Sequence, residues 1–148
     1  MCRRPGCDPD SHHGDGNQRQ RHHRLHQRAS GKWVLGLNGN DTITGTAFND
    51  TIDGGRGRDT LTGGIGKDYL EGNIGNDTMT GSSNADALVA GGGNDTLSGG
   101  VGNDSLLARP SDGDAGPGTG ADTLNGDAQL DTCSAVAADG DTRTGCEM

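Results

Sequence analysis

The sequence predicts an all-β solenoid, in which very short strands stack on one another around a thin core. Starting at Gly36, eight nonapeptides follow one another without a gap up to residue 107. Aspartate stands at the sixth position of every unit, and a large aliphatic residue stands at the eighth. A fixed period of this kind is typical of architectures that stack one small unit on the next.

The two invariant positions define two sets of residues. The sixth-position aspartates are Asp41, Asp50, Asp59, Asp68, Asp77, Asp86, Asp95 and Asp104. The eighth-position aliphatic residues are Ile43, Ile52, Leu61, Leu70, Met79, Leu88, Leu97 and Leu106. After a break over ARPSDGDAG (108–116), two weaker units return with Asp122 and Asp131 in phase.

Each unit has a turn half and a strand half. Positions one to five are rich in glycine and asparagine, which suits a turn that needs positive φ. Positions seven to nine read Thr-Leu-Thr or a close variant, which predicts a three-residue strand with one side chain inward and two outward.

Composition argues that apolar burial alone does not fold this chain. Only 28% of the 148 residues are hydrophobic, 29 are glycine, and the formal net charge is −9. One buried aliphatic side chain contributes roughly 1.5 to 3 kcal/mol, against about 1 to 2 kcal/mol of backbone ordering for each residue of the unit. Disorder is the alternative for such a composition, but the strict period disfavours it.

The repeated aspartates indicate a bound cation. In parallel stacked strands, equivalent carboxylates lie about 4.8 Å apart and repel one another. Ca²⁺ takes six to eight oxygen ligands, which carboxylates and turn carbonyls supply, whereas Mg²⁺ demands a stricter octahedron and resists dehydration. Zinc is disfavoured because the repeats hold no His or Cys before Cys133.

Three units resemble a known repeat. GGRGRDTLT, GGIGKDYLE and GGVGNDSLL fit GGxGxDxUx, where U is a large aliphatic residue, and this is the nonapeptide of the RTX, or haemolysin-type, calcium-binding proteins. The resemblance implies a right-handed parallel β-roll with two nonapeptides per coil. It also implies calcium ions in the turns along both edges, bound by the sixth-position aspartates and by turn carbonyls of adjacent coils.

Carried onto this sequence, the resemblance implies two rows of ligands in about five and a half coils. One edge is expected to hold Asp41, Asp59, Asp77 and Asp95, joined after the break by Asp131. The other is expected to hold Asp50, Asp68, Asp86, Asp104 and Asp122. The turn glycines assigned to the metal sites are Gly54, Gly55, Gly57, Gly63, Gly64, Gly66, Gly72, Gly75, Gly99, Gly100 and Gly102.

Several units depart from the pattern. Phe48 occupies a fourth position, where a bulky aromatic residue suits positive φ poorly, so the site around Asp50 is in doubt. Ser82 and Asn84 weaken a later coil, and Pro117 replaces a first-position glycine. The break at 108–116 reads either as a degenerate coil or as a surface excursion. Residues 54–80 are expected to form the tightest part of the roll.

Four segments follow from these observations. Residues 1–35 are a basic arm with seven Arg or Lys, five His and three acids; 36–107 are the eight nonapeptides; 108–134 are degenerate repeats that extend the roll; and 135–148 are a tail with Cys146. The arm is expected to be disordered. Metal or nucleic-acid binding by the arm finds little support. Codons for Asn-Asp-Thr, read one base early, can encode Gln-Arg-His, which is the sequence of residues 20–22. Residues 1–30 are therefore alternatively a repeat segment translated in the wrong reading frame.

The two C-terminal cysteines are candidates for a disulfide bond. Cys133 and Cys146 are predicted to form a disulfide that closes the last coil, the alternative being two free thiols. The resemblance of this end to exported RTX-like chains places the protein outside the cell and leaves its route open. No apolar run is long enough to span a membrane, and the N-terminus lacks a secretory h-region.

The sequence therefore predicts a secreted calcium-binding module that folds with its ion, takes no nucleic acid and is not an enzyme, since no HExxH or GxSxG motif is present. The alternative is the accessory repeat region of a secreted protease, lipase or epimerase, or of a toxin, with the catalytic part elsewhere. An adhesive or ice-binding face of threonines such as Thr60 and Thr78 is disfavoured, because Tyr69, Glu71 and Val89 are expected to interrupt it.

Overall fold

The computed structural model describes residues 21–24, 31–108, 121–134 and 140–147. In these ranges the regular structure consists of thirteen β-strands, and no helix is present that could cross a membrane. The strands are β1 (Arg21–Arg24), β2 (Trp33–Leu35), β3 (Asp41–Thr44), β4 (Thr51–Arg56), β5 (Thr60–Ile65), β6 (Tyr69–Ile74), β7 (Thr78–Ser83), β8 (Ala87–Gly92), β9 (Thr96–Val101), β10 (Ser105–Leu107), β11 (Thr123–Ala128), β12 (Thr132–Ser134) and β13 (Thr142–Thr144).

The strands form two parallel sheets. The odd-numbered strands form one sheet, here the odd sheet, and the even-numbered strands form the other, the even sheet. Each strand therefore pairs with the next but one along the chain, and two nonapeptides complete one coil. From β2 to β10 the register is constant, so that Leu61 pairs with Met79 and Leu70 with Leu88. The predicted β-roll is confirmed.

The core is a double row of eighth-position side chains between the sheets. Ile43, Ile52, Leu61, Leu70, Met79, Leu88, Leu97 and Leu124 are fully buried, and Leu106 is 1% exposed. Because alternate nonapeptides belong to opposite sheets, successive aliphatic residues face each other across the coil. The core is thus one side chain thick on each side, as the period predicted.

The strands are longer than predicted. Those from β4 to β9 span six residues each, from position seven of one nonapeptide to position three of the next. Glycines at the first two positions therefore belong to strands, and the turn is confined to the few residues before each aspartate. The prediction of three-residue strands missed this extension because glycine was interpreted only as a turn former.

The register changes at the break and corrects the predicted edges. β9 pairs with β11 through Thr96 and Thr123, and β10 pairs with β12 through Ser105 and Thr132, an offset of 27 residues in both cases. Nine more residues than usual therefore separate the paired strands. The break, which the sequence left open as a degenerate coil or a surface excursion, lies outside the described ranges at residues 109–120. Because nine residues are half a coil, Asp122 joins the edge of Asp95, and Asp131 joins that of Asp104, the reverse of the prediction. The roll has about five coils.

The roll also begins before the predicted boundary at residue 36. β2 pairs with β4 and places Val34 in the core at 7% exposure, while β1 pairs with β3. Val34 is the eighth residue of a further nonapeptide, 27–35, whose sixth position holds Lys32 instead of aspartate. The rest of the predicted arm, including most of the proposed misread segment, lies outside the described residues.

The threonine face is not interrupted as predicted. Thr60, Thr78 and Thr96 lie next to one another in the odd sheet and are exposed. Tyr69, Glu71 and Val89 lie in the even sheet, because the chain changes sheet at every nonapeptide. The expected interruption is therefore wrong, and the two sheets present different outer surfaces.

The predicted disulfide is present. Cys133 and Cys146 are bonded, with their Cα atoms 5.7 Å apart. Cys133 lies in β12 at an eighth position, partly buried against the core. The bond therefore lies at the C-terminal end of the core.

Candidate metal sites along the two edges

The first four positions repeat one backbone conformation in nearly every nonapeptide. Positions two and four have positive φ, as at Gly55 (100°) and Gly57 (133°). A Cβ at Gly75 would run into the carbonyl oxygen of Gly57 in the preceding coil, so glycine here serves close approach as well as φ. Asn73, Ser82 and Asn84 adopt the same conformation without being glycine. Ser82 and Asn84 therefore keep the turn, as the tolerance of Asn for positive φ allows.

The sixth-position aspartates form two columns that bind the coils together. From Asp59 and Asp68 onward, each Oδ1 accepts the backbone N–H of the aspartate one coil earlier, for example Asp77 Oδ1 from Asp59 at 2.8 Å and Asp86 Oδ1 from Asp68 at 2.8 Å. The odd column, which precedes the odd strands, holds Asp41, Asp59, Asp77, Asp95, Asp122 and Asp141. The even column holds Asp50, Asp68, Asp86, Asp104 and Asp131.

The second carboxylate oxygen is buried without a protein donor at seven positions in the described chain. These oxygens are Oδ2 of Asp59, Asp68, Asp77, Asp86, Asp95, Asp104 and Asp131. The seven residues are at most 3% exposed. A buried carboxylate oxygen without a donor is costly, so each of these atoms needs either a proton or a cation.

A backbone carbonyl of the next coil faces each of several such oxygens. A Cβ built at Gly72 would lie 2.6 Å from both Asp77 Oδ2 and Ala90 O. At Gly54 the corresponding distances are 2.6 Å to Asp59 Oδ2 and 3.1 Å to Gly72 O. Glycine at position one therefore leaves open a small space that two oxygens from adjacent coils share. The same arrangement occurs at Gly63 and Gly81.

The other predicted turn glycines stack in register. The carbonyl of Gly57 faces Gly75, and that of Gly75 faces Gly93. The first-position carbonyls of Gly63 and Gly99 face Gly45 and Gly81 one coil earlier. Gly55, Gly57, Gly64, Gly66, Gly75, Gly100 and Gly102 all have positive φ. The structure thus places the predicted glycines along the same two edges as the aspartates.

The chemistry of this donor set suits calcium. No group of three or more His, Cys, Asp or Glu side chains converges within the described ranges, and several of the carboxylates face carbonyl oxygens instead. Ca²⁺ accepts carboxylate and backbone carbonyl oxygens in a flexible, high-coordination shell. The residues present therefore fit a chain of hard cations between successive turns.

Asp50 differs from the rest of its column. Its Oδ2 accepts the Thr46 N–H at 2.5 Å and the Thr46 hydroxyl at 2.9 Å, and its Oδ1 accepts the Lys32 N–H at 2.5 Å. Thr46 and Phe48, at positions two and four, do not adopt the positive φ of the other repeats. In the turn that contains Phe48, protein donors therefore satisfy both oxygens of the Asp50 carboxylate.

Asp141 was missed from the sequence. It follows Asp122 by 19 residues and accepts the Asp122 N–H at 2.9 Å, so it extends the odd column by one coil. The signal was Asp141-Thr142-Arg143-Thr144, which repeats the Asp-Thr-x-Thr of the central units with arginine in the aliphatic place. Because Arg143 stands where the repeats have an aliphatic residue, the repeat pattern does not include Asp141.

Burial raises the pKa values of six of the stacked carboxylates. It raises the pKa of Asp77 to about 8, against the lowering effect of the Asp59 N–H and with further raising by Asp95 and Asp59. Burial likewise raises the pKa values of Asp86 and Asp95 to about 7. The pKa values of Asp59, Asp68 and Asp104 are raised from the same leading cause.

These shifts predict how pH acts on the calcium-free chain. The folded-state pKa values lie above the ordinary value of 3.8, so the folded chain binds more protons than the unfolded chain between these limits. Their contribution to stability is complete below about pH 4 and is lost as the pH rises through the folded-state values of about 7 to 8. Circular dichroism of chelator-treated protein should therefore show β-structure increasing on acidification.

The calcium-loaded chain provides the control for that experiment. Protons compete with the metal for the carboxylates, so acidification should weaken calcium binding. A calcium-free chain with more β-structure at neutral pH than in acid would contradict the raised pKa values.

Comparison with known families supports the assignment from geometry. The family model for RTX calcium-binding nonapeptide repeats, in four copies, matches residues 35–70, 71–106 and 118–135, which is more than half of the chain. The matches skip residues 107–117, where the register also skips nine residues. Searches of curated proteins and of solved structures each gave no significant match. The chain belongs to the family of RTX calcium-binding nonapeptide repeat proteins.

Proposed function

We propose that the protein is a calcium-dependent binding or structural module that acts outside the cell and has no catalytic role of its own. Calcium ions would lie between successive turns along both edges, held by aspartate Oδ2 atoms of one coil and carbonyl oxygens of the next. The carboxylates are alike and evenly repeated, which suits a row of equivalent ions better than a division into acid and base.

The observation that carries this proposal is the set of buried Oδ2 atoms without a donor. Six such atoms, those of Asp59, Asp68, Asp77, Asp86, Asp95 and Asp104, repeat at the same place in successive turns. A cation between coils would satisfy two oxygens that otherwise face each other across a shared space. Asp50, which has protein donors at both oxygens, would need no ion.

The extracellular part of the proposal has two supports. Extracellular calcium modules bind with dissociation constants of about 10⁻⁴ to 10⁻³ M, so a chain of this kind would fold where calcium is abundant. The Cys133–Cys146 disulfide is of a type that persists in oxidising surroundings.

Equilibrium dialysis against calcium tests the proposal. We expect several ions per chain, up to one for each of the seven carboxylates with an unpaired buried oxygen. Magnesium at the same concentration should not replace them, because it dehydrates reluctantly and requires near-octahedral geometry. No bound calcium at roughly 10 mM, well above the dissociation constants of extracellular modules, would refute the function.

A further inference from the structure

The C-terminal tail adds a partial coil beyond the last nonapeptide. β13 pairs in parallel with β11, and the Glu147 N–H donates to Asp131 O at 2.7 Å. This segment, residues 140–147, follows the end of the family match at residue 135. Nothing in the repeat pattern therefore assigns it a ligand.

The tail brings a carbonyl oxygen to a buried carboxylate. Asp131 is 1% exposed, and its Oδ2 has no hydrogen-bond partner among the described residues. A Cβ at Gly126 would lie 2.7 Å from Asp131 Oδ2 and closer still to Gly145 O. The Gly145 carbonyl thus faces the Asp131 carboxylate in the way that the Ala90 carbonyl faces the Asp77 carboxylate within the repeats.

The disulfide joins the two segments that supply these oxygens. Cys133 lies two residues after Asp131, and Cys146 directly follows Gly145. The three residues of β13 are exposed, so apolar burial contributes little to holding them. A crosslink restricts the tail in the absence of such burial, since it removes much of the freedom that ordering would otherwise cost.

We propose that the tail completes a calcium site of its own between Asp131 and Gly145, and that the Cys133–Cys146 disulfide holds this site together. The site rests on the proposed calcium function, but its defining carbonyl comes from outside the repeats. Reduction of the disulfide would therefore release the terminal ion while the central turns keep theirs.

Calcium counting on the full chain tests the inference. The variant Cys133→Ser/Cys146→Ser is expected to fold in calcium and to bind one ion fewer than the wild type in equilibrium dialysis. The matched control Cys2→Ser/Cys7→Ser alters the chain's other two cysteines and should bind the wild-type number. Reducing the wild type should reproduce the loss.

A second variant tests the same site with the disulfide intact. Gly126 does not have positive φ, so its φ permits alanine, but the added Cβ would lie 2.7 Å from Asp131 Oδ2 and closer still to Gly145 O. These contacts are too short, so the Gly145 carbonyl would be displaced from Asp131. Gly126→Ala should also remove one ion, and combining it with the cysteine changes should remove no further ion.

The outcomes separate the terminal site from the general function. A full ion count in either the cysteine variant or Gly126→Ala would overturn the terminal site and leave the proposed function standing. A wild-type chain that binds no calcium would overturn both.

Discussion

Removing calcium from the folded chain at neutral pH is expected to abolish most of its β-sheet circular dichroism, and restoring calcium should recover it. Each nonapeptide buries one aliphatic side chain, while carboxylates repeat along both edges at every coil. Two carboxylates about 4.8 Å apart repel by about 3 kcal/mol at an effective dielectric constant of 20 when both are ionised. Protonating them instead also costs free energy at neutral pH, because the ordinary pKa of an aspartate is 3.8. The thin core cannot offset the summed free-energy cost of these stacked carboxylates, so calcium binding and folding should form one equilibrium.

Magnesium is the control for this experiment. It carries the same charge but resists the dehydration that a shell of carbonyl oxygens requires. Magnesium should therefore leave the spectrum of the chelated chain largely unfolded. A β-signal that persists after complete chelation at neutral pH would show that the roll folds without its ion.

Asp68→Ala should weaken calcium-dependent folding far more than Asp50→Ala. Both residues lie in the even column, and both accept a backbone N–H from the preceding coil. Asp68 Oδ2 has no protein donor, whereas Asp50 Oδ2 accepts two hydrogen bonds from Thr46. Loss of even an outer-shell partner of a metal typically costs 10- to 100-fold in affinity, so loss of a ligand should raise the calcium midpoint by at least roughly tenfold.

Dialysis of the same two variants provides a second measurement. Asp68→Ala should lower the number of bound ions, and Asp50→Ala should leave it unchanged while reducing stability through the lost Thr46 and Lys32 contacts. Asp68→Asn keeps an acceptor for the Asp50 N–H and should still lose calcium, which separates the charge from the hydrogen bond. Equal shifts in midpoint and ion count for the two alanine variants would contradict the distinction between these turns.

Much of the fold could be predicted because one short period determines both faces of the coil. The eighth-position residues could be assigned to the core, and the sixth-position aspartates to the edges, since parallel stacking places equivalent residues side by side. Leu61 and Asp59 are examples, both fully buried. Any unit that keeps the period takes the same place in the coil, so little depends on long-range packing.

The edge assignment of Asp122 and Asp131 was wrong because the nine-residue period in the sequence does not determine which of the two sheets a unit joins. A skipped nonapeptide preserves the period of nine but exchanges the two sheets, and composition does not show whether residues 108–116 form a strand. The pairing of Thr96 with Thr123 was needed to assign the two aspartates to their edges.

The state of Asp50 and the role of the tail depended on local contacts that the repeat pattern does not encode. Thr46 could be read only as a departure from glycine, but its hydroxyl and N–H both reach the carboxylate. Gly145 and Asp141 follow offsets of 19 residues, which a search for a period of 18 excludes.

Locating calcium by anomalous scattering in crystals grown with the ion would show whether the ions lie between the coils. We expect peaks along both edges, each between an aspartate Oδ2 of one coil and the first-position carbonyl of the next, and no peak at Asp50 Oδ2, which accepts hydrogen bonds from Thr46. Peaks confined to other surfaces, with the carboxylates of Asp59, Asp68 and Asp77 free of metal, would contradict it.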